Sequence, residues 1–241
     1  MPTRKAWRIS IVTTALGVLI GRAFLTSPPT PPSATPSRGA SDSADAVGRA
    51  EAGVVAKFSA DPRFVARVAG IPSSQLPSYM MALGTRGLRR LGDTALVAFA
   101  GIEGIEIPLY SHAMCEAMAN PASANADRSS MASLQSESHA ALARLDSTTL
   151  ARYVALSSQA VEAELDNRPA DSVSKDELAS DMVLFLAHTP SSERLRIRAF
   201  LDRPETISAD ERCWVMTQLF AHADRLASPH DGHLVRRLLS P

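Results

Sequence analysis

From about residue 44 onward, apolar residues recur at helical spacing between clear stops. Val47, Val54, Val55 and Phe58 fall on one helical face. Asp61-Pro62 reads as an N-cap followed by proline at the first helical position, and Gly70 closes that short helix. A helix is expected from Ser74 to about Arg86, carrying Tyr79, Met80 and Leu83, before Gly84, Gly87 and Gly92 break the chain. Asp93 can cap the next helix. Thr94 to Tyr110 is the most apolar stretch of the body. Within it Ile105-Glu106-Ile107 alternates as a strand does, and Pro108 would kink a helix. The stretch is short for a membrane span and carries two Glu, so it does not suggest one. The expectation is a buried, bent helix continuing to about Met118, then a polar loop from Asn120 to Ser130.

The second half is more regular. Met131, Leu134, Ala141, Leu142 and Leu145 make one stripe. Leu150, Tyr153, Val154, Val161 and Leu165 make another, behind a cap at Asp146 or Ser147 and ahead of a stop at Asn167-Arg168-Pro169. Ser174 to Glu177 (SKDE) has the pattern of a capping box, in which hydroxyl and carboxylate each satisfy the other residue's amide. Its helix runs through Leu178, Met182 and Phe185 to His188, and Thr189-Pro190 starts another that ends near Asp202. Ser208 to Glu211 (SADE) repeats the box further along the chain. On that offset Ser174, Asp176, Glu177, Met182, Ala187 and His188 align with Ser208, Asp210, Glu211, Met216, Ala221 and His222. Two successive helical hairpins, 174–204 and 208–241, are therefore expected on one plan. The offset equals the period of tetratricopeptide repeats, but their Trp, Gly, Tyr and Pro signature is missing. Convergent capping of two amphipathic hairpins is the simpler account of the similarity.

The expected fold class is all-α. About eight helices form an irregular bundle in the first half and two hairpins at the C-terminal end. One N-terminal membrane or signal segment precedes them. The domains read as 1–25 signal anchor or signal peptide, 26–43 Pro-rich linker and 44–241 helical extracytoplasmic domain.

The N-terminus sets the compartment. After a basic lead, Ile9 to Gly21 runs without a charge. Gly21-Arg22-Ala23 offers small residues where a signal peptide would be cleaved. A membrane anchor needs about 20 residues, which Ala6 to Leu25 supplies if Arg8 and Arg22 snorkel at its ends. Trp7 and Phe24 then sit near the two interfaces. Thr26 to Ser43 has five prolines and no bulky apolar residue. Such a spacer extends about 50 Å from a membrane, which favours an uncleaved anchor. The basic lead stays inside. The expected location is thus a bacterial inner membrane, with the N-terminus cytoplasmic and the body periplasmic; secretion after cleavage is the alternative.

Charge and composition change the picture little. Arg4, Lys5, Arg8, Arg22 and Arg38 put +5 on the segment up to Ala40, so a formally neutral chain leaves −5 on the rest. A mildly acidic body has no electrostatic reason to hold polyphosphate, and nucleic acid is not an expected partner. The composition rules out collagen, a heptad rod and a disulfide-dense miniprotein. Cys115 and Cys213 are the only cysteines. In an oxidising compartment they are a candidate disulfide closing a long loop; two buried thiols behaving as small hydrophobes is the other reading.

Candidate chemistry is sparse. The chain has no Gly-x-Ser-x-Gly elbow, His-Glu-x-x-His, phosphate loop, Gly-x-Gly-x-x-Gly or paired-Cys metal knuckle. No catalytic role and no cofactor are expected. His222, Asp224, His230, Asp231 and His233 lie close together in sequence and carry donor atoms that suit zinc. Their spacing matches no known ligand set. Asp231 can instead favour the positive end of a helix opened by Ser228-Pro229, leaving His233 an exposed polar residue. Glu103 and Glu106, three apart in an apolar stretch, share a helical face. Buried, one would be held protonated and could act as an acid; otherwise they are the wet stripe of a buried helix.

These features point to a membrane-tethered, extracytoplasmic helical interaction or scaffold domain, chaperone-like in layout. It meets the membrane through its N-terminal segment and another envelope protein through a helical face. The alternative is an exported metal-dependent hydrolase using the C-terminal His/Asp cluster. The layout resembles that of lipase-specific foldases, with an N-terminal anchor, an Ala/Pro spacer and an all-helical periplasmic body. Their Arg-x-x-Phe-Asp-Tyr signature is absent here, and no residue role is carried over.

Overall fold

The computed structural model describes residues 40–72, 75–119, 136–203 and 206–239. The expected membrane segment with Trp7, Arg8, Arg22 and Phe24, the proline-bearing part of the linker, the polar loop, Met131 and Leu134 lie outside them. In chain order the helices are α1 (Ala40–Ser59), α2 (Pro62–Val68), α3 (Leu76–Leu88), α4 (Asp93–Glu106), α5 (His112–Ala119), α6 (Ser147–Leu165), α7 (Lys175–Ala187), α8 (Ser191–Asp202), α9 (Ala209–Ala221) and α10 (His230–Leu238). Single 3-10 turns occur at Ile107–Leu109 and Ala223–Arg225, and residues 136–142 are helical. Among the described residues there is no strand, and no helix is long and apolar enough to cross a membrane. The fold is all-α. Helix α1 begins at Ala40, inside the stretch expected to be linker.

The chain divides into two compact units that interleave along the sequence. The first is built from α1, α2, α3, residues 136–142 and α6. Asp61 caps α2 by accepting from the Arg63 amide at 2.9 Å, and Gly70 beyond it takes φ +83°. The Arg63 guanidinium beside Asp61 is the main reason its carboxyl is held down to about 2. Asp146, not Ser147, caps α6, accepting from the amides of Thr148 and Thr149. Asn167 stops that helix in the left-handed region at φ 51°. Phe58 and Phe64, with ring centroids 5.8 Å apart, join Met80, Leu83, Tyr153 and Val161 in the core.

Two of the expected glycine breaks are corrected here. Helix α3 runs straight through Gly84 and Gly87. Gly87 is a close-approach residue: a Cβ there would fall inside the carbonyl of Ala160 on α6. Near the same contact, the buried Glu164 accepts from Arg86 at 2.7 Å and from Arg90 at 2.6 Å. Burial pushes its carboxyl up, but the two guanidiniums outweigh that and hold it below the usual range.

The second unit comprises α4, α5 and α7 to α10. Helix α4 packs against α9 and α10. Its Gly104 lies so close to Ala221 that a Cβ would meet it at 2.6 Å. The expected bent helix to Met118 is instead two helices. Glu106 ends α4, Pro108 sits in the 3-10 turn, Tyr110 is extended, and α5 restarts at His112. Proline's missing amide and fixed φ explain the break. Asp93 is not a cap either, since Gly92 takes that position. The Asp93 carboxylate accepts from the buried Arg236 at 2.6 Å.

At the C-terminal end α7 packs against α10 and α8 against α9. Helices α7 and α9 each have 13 residues, a serine N-cap (Ser174, Ser208) and a histidine C-cap (His188, His222). Only the first box closes reciprocally. Glu211 instead grips Arg196 through two bonds of 2.7 and 2.6 Å, and the Arg196 guanidinium stacks on Trp214 at 3.5 Å. The matched helices differ in polarity at one position that both of them bury. Val215 is buried in α9, whereas its aligned counterpart, equally buried in α7, is Asp181.

Candidate functional site

Helix α10 opens after Pro229 and buries the apolar side chains of Leu234, Val235 and Leu238. That apolar stripe fixes its rotation. Three residues apart in the first turn, His230 and His233 share a face, and α10 packs against α7. Facing them is Asp181, only 1% exposed. Its Oδ1 lies 2.6 Å from His230 Nδ1, within hydrogen-bond geometry. Its Oδ2 lies 3.4 Å from His233 Nδ1, yet neither of those atoms completes a hydrogen bond. The two rings stand edge to face, centroids 6.1 Å apart. One ligand atom from each of the three residues lies within 4.8 Å of the others. Imidazole nitrogen and carboxylate oxygen are a donor set for a divalent transition metal.

The five-residue cluster expected from sequence is thus divided. His230 and His233 come together, and His233 is half-buried rather than exposed. The other three do not join them. Asp231 Oδ1 accepts from the adjacent Gly232 amide at 2.7 Å. Asp224 is exposed in the 3-10 turn. His222 ends α9, where burial, followed by the Arg225 charge, pushes its imidazole pKa down. Asp181 is missing from the sequence cluster because it lies 49 positions before His230. The signal that could have found it is the alignment of the two capping boxes, which sets an acid opposite a core valine.

Glu103 and Glu106 are not a wet stripe, since both are buried. Tyr110 donates to Glu106 Oε1 at 2.6 Å, while Glu103 Oε1 has no partner. Burial, reinforced by the neighbouring Glu106 carboxyl, pushes the Glu103 pKa well above the ordinary carboxylate value.

Cys115 and Cys213 form a disulfide that joins α5 to α9, with Cα atoms 5.6 Å apart. His112 pairs with Asp210 at 2.8 Å on the exposed surface of the same two helices. Three large apolar side chains of α7 and α8 remain exposed: Val183, Leu184 and Leu195. Leu195, 71% exposed, lines a recess of about 300 Å³ together with Arg198, Ala199, Asp202, Arg203 and Ile207. No protein family, curated protein or solved structure matches this chain.

Proposed function

We propose that this chain is a membrane-tethered, extracytoplasmic helical domain that binds an envelope protein through its C-terminal helix pairs. The observation that carries the reading is the recess beside α8. Its lining combines apolar Leu195, Ala199 and Ile207 with the guanidinium-bearing Arg198 and Arg203, which outnumber the one carboxylate there, Asp202, 3.9 Å from Arg198. Apolar side chains beside basic groups suit a partner segment that inserts one apolar residue next to a carboxylate. A buried disulfide supports life in an oxidising compartment, in keeping with the basic, apolar lead and the proline-rich spacer. The alternative, a metal-dependent hydrolase, draws support from the Asp181–His230–His233 cluster.

Photo-crosslinking in the native cells tests the reading. A benzophenone amino acid replaces Leu195 in one full-length chain and the exposed Arg152 of α6 in another. The proposal expects one discrete adduct from position 195, none from position 152, and loss of the adduct when Arg198→Glu and Arg203→Glu are added. Absence of an adduct at 195, or the same adducts from both positions, would overturn it.

A further inference from the structure

We infer that Asp181, His230 and His233 bind a divalent transition-metal ion, zinc by preference. The inference does not depend on the interaction surface proposed above.

Burying Asp181 is costly. A carboxylate taken out of water must be matched by partners on both oxygens or by a cation. Asp181 is 1% exposed, yet only Oδ1 makes a hydrogen bond. Oδ2 is buried without one. The corresponding position of α9 is filled by valine, so the helix plan itself does not call for an acid there.

The cluster also holds a surplus imidazole. A buried Asp–His pair needs one ring, and His230 already supplies it. His233 nevertheless directs Nδ1 to within 3.4 Å of the unpaired Oδ2 and makes no hydrogen bond with that nitrogen. Two orphaned atoms of complementary donor type face each other at a separation close to the ligand–ligand distance of a tetrahedral zinc site. With bonds near about 2.0–2.1 Å that distance is about 3.3 Å. With the ion on Oδ2, His230 would give up its 2.6 Å contact with Oδ1 and turn Nδ1 to the ion. His230 has the freedom to make that move, with a side chain 42% exposed.

The donor set selects the ion. Two nitrogens and one oxygen suit zinc, copper or nickel, whereas calcium and magnesium prefer oxygen alone. Both rings would bind through Nδ1 with the remaining proton on Nε2. Partial exposure of both histidines leaves water able to supply a fourth ligand. Such an ion would clamp the middle of α7 to the first turn of α10, two elements far apart in sequence.

The test is a zinc chloride titration, by calorimetry, of the full-length chain stripped of metal and held in detergent, with cobalt(II) absorption as the geometric probe. The expected result is one saturable equivalent and the intense visible bands of tetrahedral cobalt. His233→Ala should weaken binding by at least about a hundredfold, the upper end of what even an outer-shell partner is worth. His222→Ala, outside the cluster, should bind as the parent does. Asp181→Asn should behave as His233→Ala. If it fails to fold by circular dichroism, the more exposed His233 carries the test alone. Absence of a saturable equivalent in the parent chain, or equal binding by the parent and His233→Ala, would overturn the inference.

Discussion

Replacing Glu103 by Gln should make the chain's stability less sensitive to rising pH. Glu103 is 2% exposed, its Oε1 lacks a partner, and Glu106 on the next turn is buried as well. Burial and that neighbour raise its folded-state pKa well above the ordinary value. In the unfolded chain a glutamate titrates near about 4.3. Below that value both states are protonated and no stability is lost. Above it the unfolded chain releases a proton that the folded chain retains. Each pH unit then costs about 1.4 kcal/mol, until the folded group itself ionises. Gln cannot titrate, so this loss disappears in the variant. Its buried amide adds an offset of about 1–3 kcal/mol at most, but that offset is the same at every pH. Urea unfolding of parent and variant at pH 4, 5, 6 and 7, followed by circular dichroism, gives the difference directly. The difference should move in favour of Glu103→Gln by up to about 1.4 kcal/mol per unit above pH 4. A difference that stays flat across this range would refute the reasoning, because Glu103 would then titrate as a hydrated acid.

Two further outcomes rest on the close contacts and the covalent tie. Gly87→Ala should destabilise by at least about 2 kcal/mol, since overpacking against the Ala160 carbonyl outweighs the roughly 1 kcal/mol that alanine gains in helix propensity. Thermal unfolding should show a melting temperature lower by at least about 4 °C, and an increase would show that propensity alone governs the site. Replacing Cys115 and Cys213 by Ser opens a link with a sequence separation of 98, which loop-closure entropy values at up to about 4.7 kcal/mol. Urea unfolding should show a loss of several kcal/mol, and a loss under about 1 kcal/mol would contradict the staple.

Local chemistry is legible in the sequence, and long-range packing is not. Asp61, Gly70, Asp146 and the serines at 174 and 208 announce helix ends because capping needs only residues within one turn. Gly87 looks identical to a helix breaker until Ala160 is placed beside it. Pro108 announces a disturbance, but the extended Tyr110 and the new start at His112 decide that the helix ends there instead of bending. In the candidate site, the i and i+3 spacing of His230 and His233 can be read directly. Asp181 cannot, because only the fold brings α7 against α10. The capping boxes diverge for the same reason: Glu211 has Arg196 within reach and Glu177 closes on Ser174.

Export of the helical body underlies the functional reading, and the redox state of its cysteines in the cell tests it most directly. Native cells would be lysed in a thiol-blocking reagent and the intact chain weighed with and without prior reduction. No thiol should be blocked before reduction and two after it, with Cys115 and Cys213 linked in one chain. Two thiols blocked without reduction would place these cysteines in a reducing compartment and contradict an extracytoplasmic role.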